Sequence, residues 1–143
     1  MIEIVRFRPV HLHGLELQPA QAALIEPVAD PQYGVALALS GPCFTVMLDG
    51  RPVACAGVHE AHRQRGEVWA LLSVASGRVM RPMTRAARGW FDTCGYRRLE
   101  VKVATDFDAG NHWARMLGFQ FEARMSGYMP DGTAANLYAR VSP

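Results

Sequence analysis

The sequence is poor in cysteine, in net charge and in long apolar runs, and each shortage excludes something. It has three cysteines, Cys43, Cys55 and Cys94. An odd count without short repeated spacing does not make a disulfide framework or a zinc knuckle. The formal net charge is +2, and the arginines are spread along the chain. That argues against a nucleic-acid partner, which is met by a clustered basic face. No uninterrupted apolar stretch approaches the ~18 residues of a membrane span. The opening MIEIVRFRPVHL is broken by arginines and lacks the apolar run of a signal peptide. Internal repeats, linkers and low-complexity segments are missing too. These absences predict a reduced, cytoplasmic protein with no membrane partner.

What is present suffices for one core. Half of the 143 residues are hydrophobic and a fifth are charged, which predicts a single domain over residues 1–143. Ile2 to Arg8 alternates apolar and charged residues, the mark of a strand with one wet face. From Leu12 to Val28 the spacing turns helical, cut into short pieces by Pro19 and Pro27. Asp30-Pro31 supplies a cap and a first helical residue for a helix through Leu39. Two strands follow, Cys43 to Leu48 and Val53 to His59, joined by Asp49-Gly50, a strong hairpin signal. His62 to Gly66 reads as a polar loop, and Glu67 to Val74 as an apolar strand near the middle of a sheet.

Beyond Ser76-Gly77 the period is helical again up to Gly95. Val79, Met80, Met83, Ala86, Ala87, Trp90 and Phe91 line one face, and Arg78, Arg81, Arg85 and Arg88 fall largely on another. Arg98 to Thr105 alternates, Leu99, Val101 and Val103 against Glu100 and Lys102. Asp108 is placed to cap a helix from Ala109 to Leu117, closed by Gly118. Phe119 to Met129 and Ala135 to Val141 read as strands around the turn Pro130-Asp131-Gly132. The expectation is a mixed α/β fold with a mostly antiparallel sheet of about seven strands flanked by helices. Its order is β-α-α-β-β-β-α-β-α-β-β. A Rossmann domain would alternate helix and strand throughout.

Two segments carry a resemblance. WARMLGF, Trp113 to Phe119, is similar to the end of the fourth helix of the GNAT superfamily, the acyl-CoA N-acyltransferase fold. WFDTCGYRRLEVKV, Trp90 to Val103, resembles that superfamily's step from third helix to fifth strand. With the order of elements, the resemblance runs from end to end, and it extends to small GNAT-like proteins of tailed phages. It implies an acyl-CoA-dependent N-acyltransferase, moving acetyl from acetyl-CoA to an amine. It also implies a pantetheine arm paired with the backbone of the strand Glu67 to Val74, at Leu71, Leu72 and Ser73. The pyrophosphate would rest on the turn Ser76, Gly77, Arg78, Val79 and Met80, with Asn111 also at the cofactor. Unpaired N–H groups and the helix dipole favour an anion there.

The sequence departs from the family twice. Of the glycines that usually wrap the phosphate only Gly77 remains, while Arg78 offers a direct phosphate partner. Ala114 stands where many members carry a tyrosine that protonates the leaving thiolate, and nearby His112 offers an alternative donor. The base candidates at strand ends are His59, Glu60 and Glu67. A backbone amide near Leu72 or Ser73 would polarise the thioester carbonyl. These departures keep a second reading open, a catalytically degenerate GNAT-fold structural or interaction protein, phage-encoded. GNAT-like proteins often pair into homodimers, and no heptad here decides it.

Plainer readings compete at each position. The pairs His11/His13 and His59/His62 would need a convergent third ligand to hold a metal, so no metal site is expected. The four arginines of one helix face are by default a solvated face. Met80, Met83 and Met116 read as core filling, and Trp69, Trp90 and Trp113 as core or pocket wall. Cys55 and Cys94 have no base beside them in sequence.

Overall fold

A computed structural model describes all 143 residues. Its elements are β1 (Ile2–Arg6), α1 (Ile25–Ala29), α2 (Pro31–Ser40), β2 (Cys43–Leu48), β3 (Arg51–His62), β4 (Arg65–Leu72), α3 (Met80–Thr93), β5 (Arg98–Ala104), α4 (Asp108–Met116), β6 (Gln120–Met125) and β7 (Ala135–Val141). Short 3-10 stretches cover Pro9–Gly14, Pro19–Leu24 and Ser76–Val79. The strands form a seven-stranded sheet in the order β1-β2-β3-β4-β5-β7-β6. The β4–β5 pair is parallel; β1–β2, β2–β3, β5–β7 and β6–β7 are antiparallel. The chain divides into two compact units, residues 1–60 with 68–83, and residues 61–67 with 84–143.

In the first unit the β2–β3 turn behaves as its sequence requires. Asp49 and Gly50 both take positive φ, 50° and 81°, the geometry whose twist matches the flanking strands. The core gathers Phe7, Leu12, Leu15, Leu17, Cys43, Cys55 and Leu71, with Tyr33, Leu37 and Trp69 packed against it. Each such buried Leu or Phe contributes roughly 1.5–3 kcal/mol relative to exposure. Gly57 is required by close approach, since a Cβ there would lie 2.5 Å from the Cys43 Cβ. Helix α2 starts as expected: the Asp30 side chain accepts from the Gln32 N–H at 2.9 Å, with Pro31 next to it.

The second unit is built on β5, between the start of β4 and β7. Arg65 to Glu67 run beside Arg98 to Glu100. The end of α4 is closed as the leucine-glycine-phenylalanine pattern demands. Gly118 takes φ 91°, and the Phe119 N–H reaches back to the Ala114 carbonyl at 3.1 Å, a helix stop that favours glycine. Phe91 and Phe119 meet edge to face at 5.6 Å.

Several sequence-based boundaries change, and β4, expected over Glu67 to Val74, runs Arg65–Leu72. Strand β3 continues to His62 and β4 begins at Arg65, so the expected polar loop is a turn at Arg63-Gln64. Asp108 is the first residue of α4 rather than its cap, and Phe107 precedes it without a side-chain cap bond. The strand expected over Phe119 to Met129 stops at Met125.

Candidate active site on strand β4 and the turn after it

In an extended strand successive residues turn their N–H and C=O groups to opposite edges. The Ser73 N–H donates to the Val53 carbonyl of β3 at 2.9 Å, so Ser73 faces β3. Ala70, Leu72 and Val74 therefore face the other edge, and that edge is covered by the chain itself. The Gln21 carboxamide donates through Nε2 to the Ala70 carbonyl at 2.6 Å and accepts from the Leu72 N–H at 2.8 Å. The Gln18 N–H donates to the Leu72 carbonyl, and the Val74 N–H donates to the Glu16 carbonyl, both at 2.9 Å. Leu17 sits opposite Ser73 as a single antiparallel bridge.

The Ala70 carbonyl, both backbone groups of Leu72 and the Val74 N–H thus each have a partner on this edge. Both amides considered as carbonyl polarisers, those of Leu72 and Ser73, are engaged. Leu71, Leu72 and Ser73 are buried, at 2%, 6% and 6% exposure. No sequence pattern marks Gln18 or Gln21 for this role, because the contacts join positions about fifty residues apart.

The turn is tighter than the strand and more open to solvent. The Ala75 N–H donates to the Ser73 hydroxyl and the Ser76 N–H to the Ser73 carbonyl, both at 3.0 Å. Ser76 and Val79 point inward, Val79 with no exposure, and Met80 is half-buried. Gly77 and Arg78 are exposed. A Cβ placed on Gly77 would meet nothing within 4 Å, so there is room beside the backbone here. The charge of Arg78 reaches the Asp49 carboxylate, whose pKa is lowered mainly by the N-terminal ammonium and more weakly by Arg78. Among the five turn residues expected to hold an anion, Gly77 and Arg78 are the two presented to solvent.

The candidate acid and base residues divide between the units. His59 and Glu60 lie in the first, exposed, and inside β3 rather than at its end. Glu67 lies in the second, third residue of β4, where its carboxylate accepts from Lys102 Nζ at 3.1 Å. Burial opposes the charge on Lys102, but hydrogen bonds with Tyr128 and Glu67 outweigh it and hold its pKa above the ordinary lysine value. His112 is exposed on α4. Asn111 is buried and fully committed. Its Nδ2 donates to the Ala104 carbonyl at 2.9 Å and the Phe107 carbonyl at 2.8 Å. Its Oδ1 accepts from Asn136 at 2.8 Å and from the Tyr138 hydroxyl at 2.6 Å. This asparagine ties α4, β7 and the end of β5 together.

Other singled-out residues have structural surroundings. Cys55 is wholly buried beside Thr45 at 3.6 Å, and burial pushes its thiol up to about 11, so it stays a protonated thiol at neutral pH. His11 Nδ1 lies 2.7 Å from the Thr45 hydroxyl. Trp69 meets Phe7 edge to face at 5.9 Å, and its indole N–H is buried without a partner. Arg88 donates to the Met116 carbonyl. A cavity of about 450 Å³ in the second unit, lined by Phe91, Tyr96, Leu99 and Arg140 among others, includes none of the predicted site residues.

No protein-family model matches this sequence, and no curated protein matches it. Solved structures do. Ard1 from Thermoplasma volcanium is 17% identical, with a TM-score of 0.81 over 99% of this chain and 98% of that one. The ribosomal L7/L12 alpha-N-protein acetyltransferase RimL, in complex with coenzyme A, is 14% identical, with a TM-score of 0.74 over 98% and 93%. A GNAT-family acetyltransferase from Streptococcus pneumoniae is 13% identical, with a TM-score of 0.74 over the whole of both chains. The fold is accordingly that of the GNAT acetyltransferases, from the first strand to the last.

Proposed function

We propose that this protein is an acyl-CoA-dependent N-acyltransferase, moving acetyl from acetyl-CoA to an amine. The observation that carries the reading is the end-to-end match to N-acetyltransferase folds, one of them solved with coenzyme A. The turn after β4 supports it, because it offers backbone at Gly77 and a guanidinium at Arg78 to an anion. Acetyl-CoA as substrate supplies the acyl group and a thiolate leaving group. Arg78 pairs with the pyrophosphate and fixes the thioester's position. His59 or Glu60 takes the proton from the acceptor ammonium, directly or through water. Much of the remaining acceleration comes from holding the two reactants together.

The test is release of free CoA thiol from acetyl-CoA across a panel of peptide N-termini, polyamines and small primary amines. Acceptor-dependent release that falls at least tenfold in His59→Ala or Glu60→Gln supports the reading and names the base. A paired β4 edge favours a second reading, a GNAT-fold interaction protein without an acyl donor. That reading requires that acetyl-CoA give no rise in melting temperature, since only a ligand of the native state stabilises it.

A further inference from the structure

We infer that the Gln21 carboxamide is a displaceable stand-in for the amides of the acyl donor, so that Gln21 sets how readily acyl-CoA binds. The inference rests on the acyltransferase reading and adds a residue that fold comparison does not point to. A strand edge offers alternating acceptor and donor groups, here the Ala70 carbonyl and the Leu72 N–H. Gln21 meets both with one primary amide, at 2.6 and 2.8 Å. A pantetheine arm carries two secondary amides and supplies the same pair, one N–H and one C=O. The groups exchanged are neutral and similar, so the swap is close to balanced in hydrogen bonds.

The stretch that holds Gln21 is built to let go. It lies in Pro19–Leu24, where no residue is buried, and Gln21 itself breaks the helical path with φ −110° and ψ 19°. A segment with few buried contacts opens at low cost. The backbone contacts at Gln18 and Glu16 are independent of the Gln21 side chain and keep the segment attached when that side chain swings out. The closed form then lowers the apparent affinity for acyl-CoA by the fraction of molecules with Gln21 withdrawn.

Calorimetric titration with coenzyme A, on wild type and Gln21→Ala, reads this directly. Removing two competing hydrogen bonds predicts about tenfold tighter binding by Gln21→Ala. Adding CoA to the wild type should also move the Gln21 side-chain amide NMR signals toward those of a solvated glutamine. Gln21→Met provides a second variant should Gln21→Ala fold poorly. Its side chain keeps the length of glutamine but bonds strongly to neither the Leu72 N–H nor the Ala70 carbonyl, so it too should bind CoA more tightly than wild type. Wild type and both variants binding CoA equally, with unmoved Gln21 signals, overturns the exchange and leaves the acyltransferase reading standing. Failure of all three to bind at millimolar CoA removes the acyltransferase reading, and the exchange falls with it.

Discussion

In the first unit the contacts that close the edge of β4 are neutral, and they come from a shallow stretch, Glu16 to Gln21. In the second unit the contacts around β5 are charged or deeply buried. Glu100, 7% exposed, receives Arg65 at 2.7 Å and Arg98 at 2.8 Å, and Arg98 also pairs with Glu122. Asn111 closes the other end of β5 with four hydrogen bonds. A neutral hydrogen bond is worth about 0.5–1.5 kcal/mol net, and one to a charged group about 1.5–3 kcal/mol. The first unit is therefore the place to look for movement, and the second for rigidity.

That contrast can be broken in four places. The largest effect should follow Asn111→Ala, which strands the Asn136 amide and the buried Tyr138 hydroxyl. Chemical denaturation should show a loss of about 3 kcal/mol. Next comes Glu100→Gln, expected to cost roughly 2 kcal/mol at neutral pH. Burial alone would raise the pKa of Glu100, but hydrogen bonds from Arg98 and Arg65 outweigh burial and lower it. The stabilisation is thus present above the ordinary value of 4.5 and lost as pH falls through the lower folded value. The gap between wild type and Glu100→Gln should shrink in that acid range; a constant gap would mean that Glu100 acts by packing alone.

In the first unit, Arg78→Glu should weaken CoA binding about tenfold by calorimetry while leaving the melting temperature of the free protein nearly unchanged. The smallest effect belongs to Asp30→Ala, which removes the cap of α2 and should cost about 1 kcal/mol. If Arg78→Glu binds CoA as wild type does, the phosphate role of the turn is lost.

Much of the fold is legible in the sequence because its signals are local. Asp49-Gly50 makes its hairpin, Asp30-Pro31 starts α2, and Gly118 ends α4 with Phe119 bonded back. Pro19 opens a new short piece of the Leu12 to Val28 stretch as expected, whereas Pro27 lies inside α1, in its first turn, where a missing N–H costs no intrahelical bond. The turn at Arg63-Gln64 lacks glycine, proline and asparagine, so its polar residues read as a longer loop. Glu100 alternates with Leu99 and Val101 like a wet-face residue. Its carboxylate is instead held and neutralised by the Arg65 and Arg98 side chains, which lets it be buried. The candidate site is half legible. The position of the turn follows from the change to a helical period beyond Ser76-Gly77, and the exposure of Arg78 from its place opposite the apolar face. Asn111, read toward a cofactor, is instead a hydrogen-bonded hub inside its unit. The cover that Gln21 and Gln18 provide for β4 leaves no trace in spacing or composition, since a glutamine in a short 3-10 stretch carries no pattern of its own.

The most direct measurement is calorimetric titration of acetyl-CoA into the purified wild-type protein. Saturable one-site binding at roughly micromolar affinity, with a matching rise in melting temperature, is the result the account predicts. No heat and no thermal shift up to millimolar acetyl-CoA would contradict it and leave a GNAT fold that serves something other than acyl transfer.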